Sequence, residues 1–368
     1  MFPTFESKRA RLLLAAVSLC VAMPAGAKAP SITTFDVPNA GAAAGQGTLA
    51  LSINGRGTIM GYYLDASNMY HAFLRAKNGA ITTIDAPGAG TAVFQGTVAF
   101  GLNSGGAVAG YYIDASYRRH GYLRAPDGTI TTIDVPGATQ TRALNINATG
   151  VILGSWREPS GLNHGFVRDV DGTITTFDAP GAGTGSGEGT LSAAVSGLNQ
   201  DGAAIGGYID ASRVEHGYVR APDGTITTFD VPGAGTDVGQ GTFTSSISPS
   251  WAITGGYVDA SNVNHGFLRA ADGTVTTFDV PGAGTGFNQG TTGVNNNASG
   301  VITGLYVDAN DVNHGFVRTA GGTITTFDVA AAGTDPGEGT SPNSNDPTAG
   351  ITGMYVDSNG VTHAFRRD

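Results

Sequence analysis

Close copies of HGFLRAADGTVTTFDVPGAG (residues 265–284) run from Ser31 to the C-terminus. Every histidine of the 368-residue chain opens one: His71, His120, His164, His216, His265, His314 and His363, at gaps of 49, 44, 52, 49, 49 and 49 residues. Self-similarity at a period of about 20–50 residues marks a solenoid, a propeller or an array, and the contents of the repeat choose among them.

The unit from Thr274 reads TVTTFDVPGAGTGFNQGTTGVNNNASGVITGLYVDANDVNHGFVR. Turn signals divide it into four β-prone segments: TVTTFDV, the run after Gln-Gly-Thr, VITGLYVD and HGFVR. Thr, Val, Ile, Phe and Tyr dominate them, and no stretch has helical periodicity. HGFLR joins the next TITTFD through Asn78-Gly79, Asp127-Gly128, Asp171-Gly172, Asp223-Gly224, Asp272-Gly273 and Gly321-Gly322. Asn-Gly and Asp-Gly are hairpin signals because both residues can take positive φ. A second short, Gly-marked connection is Asn54-Gly55-Arg56-Gly57, whereas PGAGTxxxQGT and DASNVNH read as longer loops.

Four antiparallel strands copied seven times define an all-β chain, a seven-bladed β-propeller with units at about 31–79, 80–128, 129–172, 173–224, 225–273, 274–322 and 323–368. Hairpins within each unit argue against a parallel solenoid. An open array would leave apolar sheet faces in water. The first unit opens on SITTFDVP (31–38) with no HGFLR before it, and the last ends on HAFRR (363–367) with no TITTFD after it. These two segments are expected to pair and close the ring. The strand after Gln-Gly-Thr then lines a central channel, TITTFD lies outermost, and both long loops share one face. A binding site is expected on that face or at its channel mouth.

Residues 1–27 differ in character. Lys8, Arg9 and Arg11 precede the apolar run LLLAAVSLCVAM and Ala25-Gly26-Ala27, the pattern of a secretory signal peptide cleaved after Ala27. The run is shorter than the ~20 residues that span a bilayer. The only cysteine, Cys20, falls inside it, so residues 28–368 hold no disulfide and fold as one domain by packing alone. The 19 basic and 29 acidic residues of the chain, less three basic and one acidic in the leader, leave a net charge of −12. That balance argues against nucleic acid or an anionic membrane as partner. A periplasmic or extracellular monomer is expected.

The tripeptides His71-Ala72-Phe73 and His363-Ala364-Phe365, with HGF or HGY in the other copies, Gly-Tyr-Tyr-x-Asp at 61–65 and Ile-Asn at 53–54, resemble the HAF family of extracellular repeats. The resemblance covers nearly all of residues 28–368. It implies export and a repeat fold and names no reaction.

An acidic residue stands six positions before each histidine: Asp65, Asp114, Glu158, Asp210, Asp259, Asp308 and Asp357. Carboxylate and imidazole at the two ends of one connection could form a metal site or an acid–base pair. The competing reading is an Asx-turn beside a histidine that fixes the strand start. Seven-fold copying favours that scaffold role, since catalysis uses one asymmetric site. Two ligands per unit also fall short of the ~4 of a closed zinc site. No cofactor is expected; PGAGTxxxQGT lacks the lysine and following helix of a phosphate loop. Asn54, Asn103, Asn147, Asn199 and Asn297, with Ser248 and Asp346 in the other two copies, read as tight-turn residues.

A specific site must break the symmetry. The third unit lacks Gln-Gly-Thr, reading GATQTRALNIN, and carries Trp156-Arg157-Glu158 in place of Tyr-x-Asp. With Tyr117, Arg118 and Arg119 on the neighbouring unit and Arg142, it gathers basic and aromatic side chains of the kind enriched at binding hot spots. Trp251 in the fifth unit is a second candidate. Repeat decay accounts for the same departures. No carboxylate, His or Tyr cluster is unique to one unit. The expected function is therefore a non-enzymatic scaffold that binds a protein or glycan. A lyase or hydrolase at the channel mouth and a purely structural surface protein are the alternatives.

Overall fold

The TITTFD segments form the shortest strands. Each is four residues long with both threonines exposed in most copies, as in Ile81–Ile84, so one of its edges and much of its surface face water. The computed structural model describes residues 30–193, 196–348 and 350–368, and the leader expected at 1–27 lies outside them. Ile32–Asp368 form one unit of 28 named strands, numbered in chain order.

Pairing sorts the strands into antiparallel quartets. The first runs from β2 (Gly47–Ile53) through β3 (Ile59–Leu64) and β4 (Tyr70–Arg75) to β5 (Ile81–Ile84). The second holds β6 (Gly96–Leu102), β7 (Val108–Ile113), β8 (Arg119–Arg124) and β9 (Ile130–Ile133). The third holds β10 (Gln140–Ile146), β11 (Ile152–Arg157), β12 (Asn163–Arg168) and β13 (Ile174–Phe177). Strands β14–β17, β18–β21 and β22–β25 repeat the pattern within 189–229, 241–278 and 290–327. A single parallel pair, such as Tyr70↔Gly96, ties the third strand of one quartet to the first strand of the next.

The last quartet consists of β26 (Gly339–Asn345), β27 (Ile351–Val356) and β28 (Thr362–Arg367), and its fourth member is β1 (Ile32–Phe35) from the other end of the chain. Ile32 through Phe35 pair with Arg367 through Ala364, while Gly47 meets Thr362. The arrangement is thus closed, all-β and propeller-like, with the two ends zipped as expected over four residue pairs. Among the described residues there is no helix, and none long and apolar enough to cross a membrane.

The core lies between neighbouring quartets. Met60, Ala72, Ile84 and Ala86 of the first pack on Ala99, Val108, Tyr112 and Tyr122 of the second. At the closure, Val37 and Ala364 pack on Ala50, Ile53, Ile59, Tyr63 and Phe73. Burying Val37, 3% exposed, contributes about 1.5–3 kcal/mol to holding the N-terminal strand down.

The repeat's small residues follow from close backbone approach. Gly61 and its equivalents sit opposite the register shift of the inner strand. There a Cβ would come 1.9 Å from Leu49 O at Gly61 and 2.2 Å from Val98 O at Gly110. The glycine of Gln-Gly-Thr has φ 114° at Gly47, where a side chain would strike the Thr362 carbonyl. The threonine beside it does more than turn. Thr48, Thr97, Thr141, Thr190, Thr242, Thr291 and Thr340 are almost fully buried. Each Oγ1 accepts the amide that follows an outer strand, Val37 N for Thr48, at 2.8–3.1 Å. The third unit, which lost Gln-Gly-Thr, keeps this latch through Thr141.

The connections correct the expected turn chemistry. In Ala76–Ala80 only Gly79 has positive φ, Gly79 N donates to Ala76 O and Ala76 N to Ala80 O. This is a type I turn closed by one left-handed residue, not a two-residue hairpin in which both central residues have positive φ. Asn54–Thr58 and Asp65–Met69 use the same bonds, with Gly57 and Asn68 left-handed. DASNVNH is therefore a tight turn, and only PGAGTxxxQGT is long. Both still leave the same face.

Candidate functional site

Each histidine is held by three neighbours. Its Nδ1 lies 2.8–3.0 Å from the aspartate of the following outer strand, Asp85 for His71 and Asp36 for His363 across the closure. A carboxylate only accepts, so the Nδ1 proton is donated to it. The Nε2 faces the acid six residues earlier at 3.3–3.8 Å. The ring stacks on Tyr63, Tyr112, Tyr208, Tyr257, Tyr306 or Tyr355 at 4.8–5.0 Å between centroids. The acid itself is occupied by the turn: Asp65 Oδ1 accepts Ser67 N and Met69 N. Among the described residues no group of three or more His, Cys, Asp or Glu is placed to hold a metal ion.

The asparagines do two things. Asn54 Oδ1 accepts Arg56 N and Thr58 N, as a tight turn requires. Its Nδ2 also donates to Asn103 O in the next quartet, and Asn103→Asn147, Asn147→Asn199 and Asn297→Asp346 continue the chain of bonds at 3.1–3.2 Å. This inter-quartet clasp was not legible from the turn pattern. At the same end, all seven quartets enclose a cavity of about 220 Å3, with amides from Asn145, Asn199, Asn295 and Asn345. It opens by the short turns, opposite the face expected to carry a site.

Of the symmetry-breaking candidates, Tyr117 and Arg119 share one cavity and Arg119, Arg142 and Arg157 lie near one another, whereas the two tryptophans lie apart from that cavity. Trp156 takes the tyrosine's place and stacks on His164 at 4.3 Å, half-buried against the third core cluster. Trp251 stands on a short turn with its Nε1 donating to Asp201 Oδ2, on the opposite face from Tyr117. Arg118 is exposed and donates to Ala138 O. Arg157 donates to Asn163 Oδ1. Arg142 and Arg119 both donate to Gln140 Oε1, at 3.3 and 2.8 Å. Burial, and then Arg119 beside it, lowers the Arg142 pKa.

Tyr117 and Arg119 line a cavity of about 250 Å3 with Tyr62, Tyr70, Phe94 and Tyr111. Tyr62 and Tyr70 meet edge to face at 5.8 Å, Tyr70 and Phe94 lie 6.2 Å apart, and the Arg119 guanidinium is 5.7 Å from the Tyr111 ring centre. A tyrosine cluster is thus confined to one place in the ring, contrary to expectation. No single repeat displays it, because it is assembled from the first two quartets and from two loops. Column by column the signal exists: Tyr62 and Tyr111 align with Ser155, Gly207 and Gly256, and Tyr70 with Asn163, Asn264 and Asn313. Glu215, at the register of Arg119, is the acid that departs from the repeat. Burial raises it to about 7 against the pull of His216, but it lines neither cavity.

No protein-family model matches the chain, and no curated protein matches its sequence. Among solved structures it is similar to prolyl endopeptidases, with a TM-score of 0.50 and 9% identity over 89% of this chain and 47% of theirs. It is also similar to TolB from Acinetobacter baumannii (TM-score 0.47, 11% identity, 84% of this chain and 63% of that one). AofleA from Arthrobotrys oligospora gives 0.45 at 13% identity, over 83% and 91%. The chain therefore spans less than two thirds of the first two, and at these identities the likeness concerns the fold alone.

Proposed function

We propose that this chain is an exported, non-enzymatic seven-bladed propeller of the HAF-repeat kind that binds a partner through its long-loop face. The seven quartets support the blade count, and the basic, apolar and Ala-x-Ala pattern of residues 1–27 supports export. The observation that carries the binding reading is the aromatic and arginine cavity between the first two quartets. Repeats that merely build a scaffold have no reason to concentrate four tyrosines, a phenylalanine and an arginine at one junction. The state of the phenols supports binding over hydrolysis or elimination. Burial, then Tyr111 and Tyr70, pushes Tyr62 up to about 12, and burial raises Tyr70. At neutral pH these hydroxyls stay protonated and serve as hydrogen-bond donors, whereas a general base or nucleophile needs a pKa near the working pH. Glycan and peptide arrays probed with the wild type and with Tyr117→Ala/Arg119→Ala test the reading. Signals that vanish in the double variant are expected, and identical profiles for the two proteins would refute it.

A further inference from the structure

Two of the cavity's aromatic residues sit on backbone that disfavours them. Phe94 has φ 59° and Tyr117 φ 61°. The other copies place Gly45, Gly187, Gly239, Asn288 and Gly337 at the first position, and Asn68, Gly161, Asn262, Asp311 and Gly360 at the second, where Arg213 (φ 63°) is the one other bulky side chain. Left-handed backbone is disfavoured for a bulky L-residue, whose Cβ crowds the following carbonyl oxygen. Strain of this kind persists where the side chain is needed for something else. Both rings are more than half exposed, 52% and 58%, and flank the same opening, and the Tyr117 hydroxyl donates to Val93 O beside Phe94. Two strained aromatic side chains therefore form the rim of one small pocket.

Arg119 brings positive charge to the pocket lining, with Arg142 beside it and Arg157 near Arg142. Among the described residues no carboxylate pairs with Arg119, Arg142 or Arg157; their side-chain acceptors are the neutral Gln140 and Asn163. Arg366 with Asp368 is the one arginine–carboxylate pair among the described residues, so what sets Arg119 apart is its place in the cavity lining. The Arg119 Nε is buried without a partner, as are the Arg220 Nε and an Arg318 terminal nitrogen, and of the three only Arg119 lines either cavity described above. An anionic group at the pocket would supply the missing acceptor.

The volume limits what enters. About 250 Å3 is below the ~300–1,000 Å3 of pockets for drug-sized ligands, and it suits one ring rather than an extended segment. A peptide adding itself as a strand would need the amides of Tyr70 and Phe94 beside the pocket, and these already donate to Gln95 O and Asn68 O. Flat aromatic faces, phenol hydroxyls and a guanidinium instead match a pyranose, whose ring has an apolar face, a rim of hydroxyls and, in a uronic acid, one carboxylate.

We propose that this pocket binds a carboxylated sugar ring, with Arg119 receiving the carboxylate, Phe94 and Tyr117 flanking the ring, and the phenols of Tyr62, Tyr70 and Tyr111 bonding its hydroxyls. The inference rests on the binding reading of the long-loop face and adds the ligand class. Calorimetric titration of the full chain with glucuronate, with glucuronamide and with a peptide ending in phenylalanine tests it. Glucuronate binds about tenfold tighter than the amide, because a charge-assisted bond exceeds a neutral one by about that factor. Arg119→Gln removes that preference, lowering glucuronate affinity about ten- to a hundredfold. Phe94→Gly and Tyr117→Asn restore residues used by other copies, so they keep or raise the melting temperature while weakening binding. Equal binding of acid and amide, or preferential binding of the peptide, overturns the ligand class and leaves a binding face standing. If these variants lose array ligands of every class together, the face is right and the sugar is wrong. A wild type that binds nothing on any array overturns both.

Discussion

Thr48→Val removes one hydroxyl and keeps the shape, and it tests how the ring is closed. Thr48 is fully buried and its Oγ1 accepts Val37 N at 3.0 Å, just beyond β1. Valine leaves that amide buried and unbonded, at a cost of about 1–3 kcal/mol. At a factor of ten per 1.4 kcal/mol, release of β1 becomes about five- to a hundredfold more frequent. The strand has other anchors: Phe35 meets Phe73 at 6.3 Å under Arg75, and Asp36 bonds His363 at 2.9 Å. Opening it therefore frees groups more than 300 residues away in sequence. Hydrogen exchange read on peptides from 32–37 and 362–367 should accelerate together, since β1 amides and those β28 amides that face them share one ladder. The control is Thr291→Val, which strands Val280 N in the same way but in a segment tethered at both ends. It should leave residues 362–367 unchanged. Faster exchange in 32–37 with unaltered 362–367 would refute closure by this pairing, and so would no change in either.

Other consequences follow from the repeat geometry. Tyr122 is fully buried with its hydroxyl unpartnered, at the place where Phe73, Phe166 and Phe267 stand in other quartets, so Tyr122→Phe should stabilise by about 1 kcal/mol in denaturant titration. A loss of stability would show that the hydroxyl is bonded in solution. Asp259 Oδ1 accepts Ser261 N and Val263 N, which asparagine can also do. Asp259→Ala should cost about 1–3 kcal/mol and Asp259→Asn much less, while equal losses would assign the role to charge. For Asp114, Asp210, Asp259, Asp308 and Asp357, burial alone would raise the pKa, but backbone amides, with the facing imidazole or, at Asp308 and Asp357, first the side chain of Asn310 or Asn359, outweigh it and lower it. A folded pKa below the unfolded value of about 3.9 stabilises fully above that pH and progressively less as pH falls through the folded value. The melting temperature should hold above about pH 5 and drop below about pH 4; a flat profile down to pH 2 would contradict it.

Much of the fold was readable because the repeat writes each local rule seven times. The spacing of the histidines counted the quartets, the Asp-Gly turns set the hairpins, and the missing partners at Ser31 and Arg367 announced the closure. Turn types are not written in the spacing where a side chain does the closing. Asp65 folds DASNMY into a five-residue turn by capping two amides, which residue spacing does not reveal. The histidine's nearer partner is hidden from residue spacing for the same reason. Asp85 lies 14 residues beyond His71, and only the pairing of β4 with β5 brings them to 2.8 Å.

Periodicity and turn chemistry are local properties, repeated in the chain, and they suffice for strand order and for the ring. The site is a different kind of object. Tyr62 and Tyr70 belong to one unit, Phe94, Tyr111, Tyr117 and Arg119 to the next, and each alone passes for drift in its own copy. Packing the first quartet on the second brings them around one cavity, while it sends Trp156 under His164 and Trp251 to the far face. Sequence records identity along the chain, and a pocket between two sheets depends on distances across it, which only the folded ring establishes.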